Sequence, residues 1–125
     1  MAQIVPLTMS EPVQIDARRV RDIVSELGES AAQNVIGIAL EQLAVALQAT
    51  DAALTAQDMA QAVAQADRLS RLAWQIGLLS LAGVAMDLGS CIERGDLAAL
   101  SAVQARLMRV GNRSLTAIWD RAGSG

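Results

Sequence analysis

The side chains with the most chemical potential in this chain fall within a short stretch: Asp67, Arg68, Ser70, Arg71, Trp74 and Gln75. On a helix, residues three, four and seven apart share a face, so Asp67, Arg71 and Trp74 form one ridge flanked by Arg68, Ser70 and Gln75. Val63, Ala66, Leu69, Ala73 and Ile76 make up the opposite, inward side, which turns Trp74 away from the core. Tryptophan and arginine are enriched at interface hot spots, so the ridge is suited to docking on another protein. A second reading stands beside it, in which Trp74 packs beneath the apolar N-terminal segment of the same chain.

Elsewhere the sequence offers little reaction chemistry. It contains no histidine, which closes routes through an imidazole base, a phosphohistidine or a His-ligated metal. All ten cations are arginine, so Schiff-base and lysine-dependent phosphate chemistry fall away too. There is no glycine-rich phosphate loop, no Cys/His metal set and no nucleophile with a base beside it. The expectation is a non-enzyme with no cofactor and no metal. Cys91 is the single cysteine, so no internal disulfide can form, and a reducing cytoplasm fits. Next to Leu88 and Ile92 it reads as a buried structural thiol. A net charge of -3 argues against nucleic acid as a partner.

These residues must be positioned by helices. The chain has 125 residues, one domain's worth, and 53% are hydrophobic with no Phe or Tyr, so the core is aliphatic. Residues 1–13 hold both prolines and read as an extended arm. Its Ile4, Val5, Leu7 and Met9 either lie on a neighbouring surface or belong to a disordered terminus. Residues 14–121 form the bundle and 122–125 a frayed end. Asp16 caps a short helix carrying Val20, Ile23, Val24 and Leu27, stopped by Gly28. Ser30 with Gln33 suggests a capping box for a second helix with the stripe Ile36, Leu40, Leu43 and Leu47. Past Thr50 and Asp51, Thr55 and Asp58 open a third helix that reaches Ile76 and breaks at Gly77.

A fourth carries Leu81, Ala85, Leu88 and Ile92, and Asp96 caps a fifth with Leu100, Val103, Leu107, Leu115 and Ile118. Gly111, inside that fifth helix, reads as the mark of a close helix crossing. Nothing alternates with period two, so no strand is expected. Four long helices with short joints predict an all-α, antiparallel up-down-up-down four-helix bundle with a short additional N-terminal helix over one end. The longest apolar run, Leu78 to Met86, is far short of the roughly 20 residues that span a bilayer, so a soluble protein away from membranes is expected.

The third helix, Ala66-Asp67-Arg68-Leu69-Ser70-Arg71-Leu72-Ala73-Trp74-Gln75-Ile76-Gly77, resembles the signature helix of the histidine-containing phosphotransfer (HPt) domain family. That family is a small four-helix bundle with an Ala-His-x-Leu-Lys-Gly-x-Ala-x-x-x-Gly pattern. Ala66, Leu69, Ala73, Ile76 and Gly77 match its framework. The turn Ile92-Glu93-Arg94-Gly95-Asp96-Leu97 is similar as well, and the resemblance runs from about Val20 to Trp119. Three departures fall where the family's chemistry lies. Asp67 stands at the phosphohistidine position, Ser70 replaces a lysine, and Arg71 replaces the glycine that admits a partner's backbone.

The resemblance implies a degenerate, non-phosphorylatable module. It would dock on a receiver domain or a histidine kinase as adaptor, competitor or scaffold, with Asp67 supplying a standing negative charge. Arg106, Arg109 and Arg113 on the last helix either steer toward a receiver's acidic pocket or simply solvate the bundle. Arg18, Arg19 and Arg21 on the first helix stand under the same pair of readings. Two alternatives remain. One is a structural homodimer sealed by Trp74 and alanine-rich faces. The other is a phosphocarrier using Asp67, although aspartyl phosphates form beside a bound metal and several acids, and this helix offers no second acid nearby.

Overall fold

The structure, a computed structural model, describes residues 12–123, with side chains to residue 120. The described residues form five helices: α1 (Ala17–Leu27), α2 (Glu29–Thr55), α3 (Met59–Gln75), α4 (Leu79–Glu93) and α5 (Leu97–Gly123). Among them there is no strand beyond one isolated antiparallel bridge, Ile15 to Leu78. The apolar N-terminal residues Ile4, Val5, Leu7 and Met9 lie outside the described part, as do residues 124 and 125.

Aspartates start three of the helices. The Asp16 carboxylate accepts from the Arg18 amide at 3.1 Å, Asp58 from Gln61 at 3.2 Å and Asp96 from Ala99 at 3.2 Å. Each satisfies one of the amides that a helix N-terminus leaves without an internal partner. Three helices also finish alike. At the end of α3 the Leu78 amide reaches the Ala73 carbonyl and the Gly77 amide reaches Trp74; at the end of α4, Asp96 reaches Cys91 and Gly95 reaches Ile92. Both glycines sit at positive φ, 82° and 69°, as this closing motif requires. The end of α2 repeats the same bonds, Asp58 to Ala53 and Gln57 to Leu54, but places Gln57 in the left-handed region at φ 60°.

Leu43, Leu47, Leu69, Leu81, Leu88, Leu107 and Ile118 are fully buried, joined by Ala46, Ala62, Ala66 and Ala73. The alanines on α3 let its backbone come close to its neighbours. In sequence order each helix packs on the next from α1 to α3, then α3 on α4 and α4 on α5, and α5 returns to α2. The result is a helical bundle. The α2–α5 crossing is tight: a Cβ added at Gly111 would stand 2.6 Å from Leu47 Cδ2, so the close crossing expected there is present.

Two expectations about α2 are corrected. The Ser30–Gln33 capping box is not its start. Gly28, at φ 84°, ends α1 through its amide to Val24 and begins α2 by accepting from Ala32, so one residue joins the two helices and the N-cap of α2 is a glycine without a capping side chain. Nor does the chain break near Thr50. That residue is fully buried, its hydroxyl donates to Ala46 O at 2.7 Å, and Asp51 accepts from Gln104 on α5 at 2.8 Å. Tertiary partners therefore carry α2 on to Thr55. Counting contiguous apolar runs also missed a property of α2: by length and composition it is long and apolar enough to cross a membrane. A core helix passes the same test; Ile36, Leu43, Ala46 and Leu47 are buried in this bundle, yet only 28% of the apolar window is.

Candidate functional site

Helix α3 presents two faces of different chemistry. Ala62, Ala66, Leu69 and Ala73 point into the core, while Asp67, Arg71, Trp74 and Gln75 are exposed. Val63, expected on the inward side, is half-buried. The Asp67 carboxylate projects from the middle of the helix and meets Arg71 Nη1 at 2.7 Å, with the two side chains 61% and 67% exposed. The site thus offers a neutralised ion pair rather than a lone negative charge. One turn further on, the Trp74 ring is 66% exposed to solvent. Covering it with the arm would involve residues outside the described part.

Two shallow grooves flank the indole. One, about 290 Å³, lies between α3 and α4 and is lined by Ser70, Arg71, Trp74, Gln75, Ala82 and Met86. The other, about 330 Å³, runs past Trp74 toward Asp16, Arg19 and Leu79. Its floor is made by the segment before α1, which is tied to the α3–α4 turn. The Asp16 amide donates to Gly77 O at 2.8 Å and the Gln14 amide to Ser80 Oγ at 2.8 Å, while Arg19 Nε donates to Gln75 O at 2.8 Å. Gly77 permits this approach, since a Cβ there would lie 3.0 Å from Asp16 O. The end of α3 that carries Trp74 is therefore braced from two sides.

Of the expected site residues, Asp67, Arg71, Trp74 and Gln75 come together on one accessible ridge. Arg68 is half-buried. Ser70 departs from expectation: it is 9% exposed and its hydroxyl donates to Asp67 O at 2.9 Å, so it lines the groove floor and is not an outward donor. Met86 is the residue that sequence reasoning missed. It is 64% exposed on α4 across the groove from Trp74; its place within an apolar run concealed it.

The secondary candidates separate clearly. Cys91 is buried and its thiol donates to Asp96 O at 3.3 Å, a structural link to the α4–α5 turn. Arg106 approaches Asp87 on α4 at 3.8 Å, while Arg109 and Arg113 are exposed. Arg18 engages its own helix cap, Asp16, at 3.5 Å. Among the described residues no three His, Cys, Asp or Glu side chains gather to hold a metal ion. Asp67 pairs with Arg71, and among the described residues no acid cluster fit for a metal surrounds it.

No family model matches this chain, and no curated protein or solved structure is similar to it.

Proposed function

We propose that this chain is a non-phosphorylatable HPt-like docking module of two-component signalling. It folds as an antiparallel up-down-up-down bundle of α2 to α5, with α1 over one end, and works in the cytoplasm. The antiparallel reading is supported by two α2–α5 contacts, Asp51 with Gln104 and Leu47 against Gly111, whose numbers rise on one helix as they fall on the other. The partner is a receiver domain or a histidine kinase, engaged through α3 as adaptor, competitor or scaffold.

The observation that carries this reading is the solvent-facing Asp67–Arg71 pair one turn from an exposed Trp74. An indole beside a guanidinium and a methionine-edged groove suits a protein surface. The Asp67–Arg71 pair can open to let each charge meet an opposite one across an interface. Titration calorimetry of the full chain against a panel of receiver domains and kinase dimerisation domains tests it. Saturable binding is expected, weakened about 30-fold or more by Trp74→Ala, the loss of a hot-spot residue worth about 2 kcal/mol, and strongly by Arg71→Glu. Equal binding by wild type and both variants, or none by any, refutes the assignment.

A second reading, a self-associating bundle with no phosphorelay role, is favoured by a different observation: Val35, Ile38 and Val45 stand exposed along one stripe of α2, beside the exposed polar residues Asn34, Glu41 and Gln48. The phosphocarrier reading has no supporting acid cluster. Mass analysis after incubation with acetyl phosphate is expected to find no adduct on Asp67, and a base-labile adduct there would restore it.

A further inference from the structure

Only 28% of the most apolar 18-residue window of α2 is buried, so the core accounts for a minor part of the helix's hydropathy. The remainder is ordered. Val35, Ile38, Gln42, Val45, Ala49 and Ala52 follow one another at steps of three and four, the spacing that keeps a seam facing a partner helix. Val35, Ile38 and Val45 are 44%, 56% and 61% exposed, and this stripe carries no charge. Beside it, an open groove of about 380 Å³ between α1, α2 and the end of α3 is lined in part by Leu27, Val35 and Ile38 and edged by Arg19, Glu26 and Gln75. Leu27, which the sequence places with Val20, Ile23 and Val24 on one face of α1, is 47% exposed there.

We propose that this seam is the self-association face of the protein and that its occupant is α2 of a second copy, laid antiparallel about a two-fold axis. The residue order favours that occupant. With the axis passing between Leu43 and Ala44, Val35 stands opposite the partner's Ala52 and Ile38 opposite the partner's Ala49. Both of these outer layers set a bulky side chain on a small one, as close packing demands. Gln42 lies beside the partner's Val45 near the axis, where the two Gln42 amides each offer a donor and an acceptor to the other. Glu41, at the flank, lies nearest the partner's Gln48 and so avoids a like charge.

The area is sufficient. A seam about 26 Å long and about 12 Å wide, together with the exposed flank of α1, covers about 500 Å² per copy, reaching the roughly 1,000 Å² in total that a specific interface needs. The inference deepens the self-association reading and uses α2 in place of Trp74; it meets the α3 docking ridge only at Gln75, on the edge of the α1–α2 groove.

Sedimentation equilibrium of the full chain across a 100-fold concentration range tests it. Wild type is expected to approach twice the single-chain mass. Ile38→Glu, at an exposed position, should raise the dissociation constant at least tenfold while leaving helical circular dichroism unchanged; Trp74→Glu should leave association intact. Adding Ala49→Lys to Ile38→Glu should recover part of the lost affinity, because the two positions face each other across the axis. A single-chain mass at every concentration overturns the proposal, as does a dimer indifferent to Ile38→Glu, a dimer lost on Trp74→Glu, or no recovery in the double variant. A monomeric wild type that co-sediments with phosphatidylglycerol vesicles also overturns it, assigning the seam to lipid. Receiver binding by the Ile38→Glu monomer separates this outcome from the fate of the α3 assignment.

Discussion

Helices α2 and α3 pack against each other, yet their outward sides are built from opposite materials. On α3 the exposed ridge holds an ion pair, an indole and an amide; on α2 one exposed stripe holds valines, an isoleucine and a glutamine at coiled-coil spacing, flanked by Asn34, Glu41 and Gln48. Their inward sides are alike, both aliphatic and alanine-rich. The inner faces thus serve one requirement, close packing, while the outer faces are free to differ. A polar-aromatic ridge suits a reversible contact steered by charge, whereas a continuous uncharged stripe suits a contact between helices. The two surfaces point to two different partners.

The contrast within α2 is where the largest effect is expected. Leu43 is fully buried and Ile38 is 56% exposed on the same helix. Leu43→Ala should destabilise the fold by about 2–5 kcal/mol. Ile38→Ala, measured at a concentration low enough to favour single chains, should change it by less than about 0.5 kcal/mol. Chemical denaturation followed by circular dichroism compares them. Similar losses would mean that the outward face of α2 is structural after all and would erase its contrast with α3.

Two backbone positions sharpen the comparison by fixing how α2 is held. Gly111→Ala forces a Cβ toward Leu47 and should destabilise by about 1–3 kcal/mol despite alanine's better helix propensity. Combined with Leu47→Ala it should show a non-additive, smaller loss, and strict additivity would deny the contact. Gln57→Gly, at the positive φ that closes α2, should raise stability by up to about 1 kcal/mol, since glycine adopts that conformation without steric strain. A lower melting temperature in that variant would show that the turn gains more from the glutamine side chain than the strain removes.

The smallest effect belongs to the ridge. Asp67→Asn removes an exposed i,i+4 ion pair, so the folded state should lose about 0.3–0.5 kcal/mol, and less as salt is raised. A loss several times larger, insensitive to salt, would show that the pair braces α3 and is not held ready for exchange.

Local rules made much of this legible in the sequence. Asp16 and Asp96 announce helix starts because a cap needs only its own next three residues, whereas Thr55, read with Asp58 as opening the third helix, is the last residue of α2 and Asp58 alone caps α3. The stripe Ile36, Leu43 and Leu47 follows from helical period, and the Asp67–Arg71–Trp74 ridge from spacing alone. What escaped depended on distant partners. Thr50 reads as a breaker until its burial and the neighbouring Asp51–Gln104 contact with α5 are seen. Ser70 is buried, and Met86 becomes part of the groove, only because α4 packs beside α3. The outward seam on α2 was masked by the inward stripe interleaved with it along the same residues.

Hydrogen–deuterium exchange of the full chain, with and without a receiver domain that binds it, tests the docking claim most directly. New protection is expected over residues 67–75 and around Met86, with the outward stripe of α2 unchanged by the partner. Protection centred on α2 or α5, with the Trp74 segment exchanging as before, would contradict it.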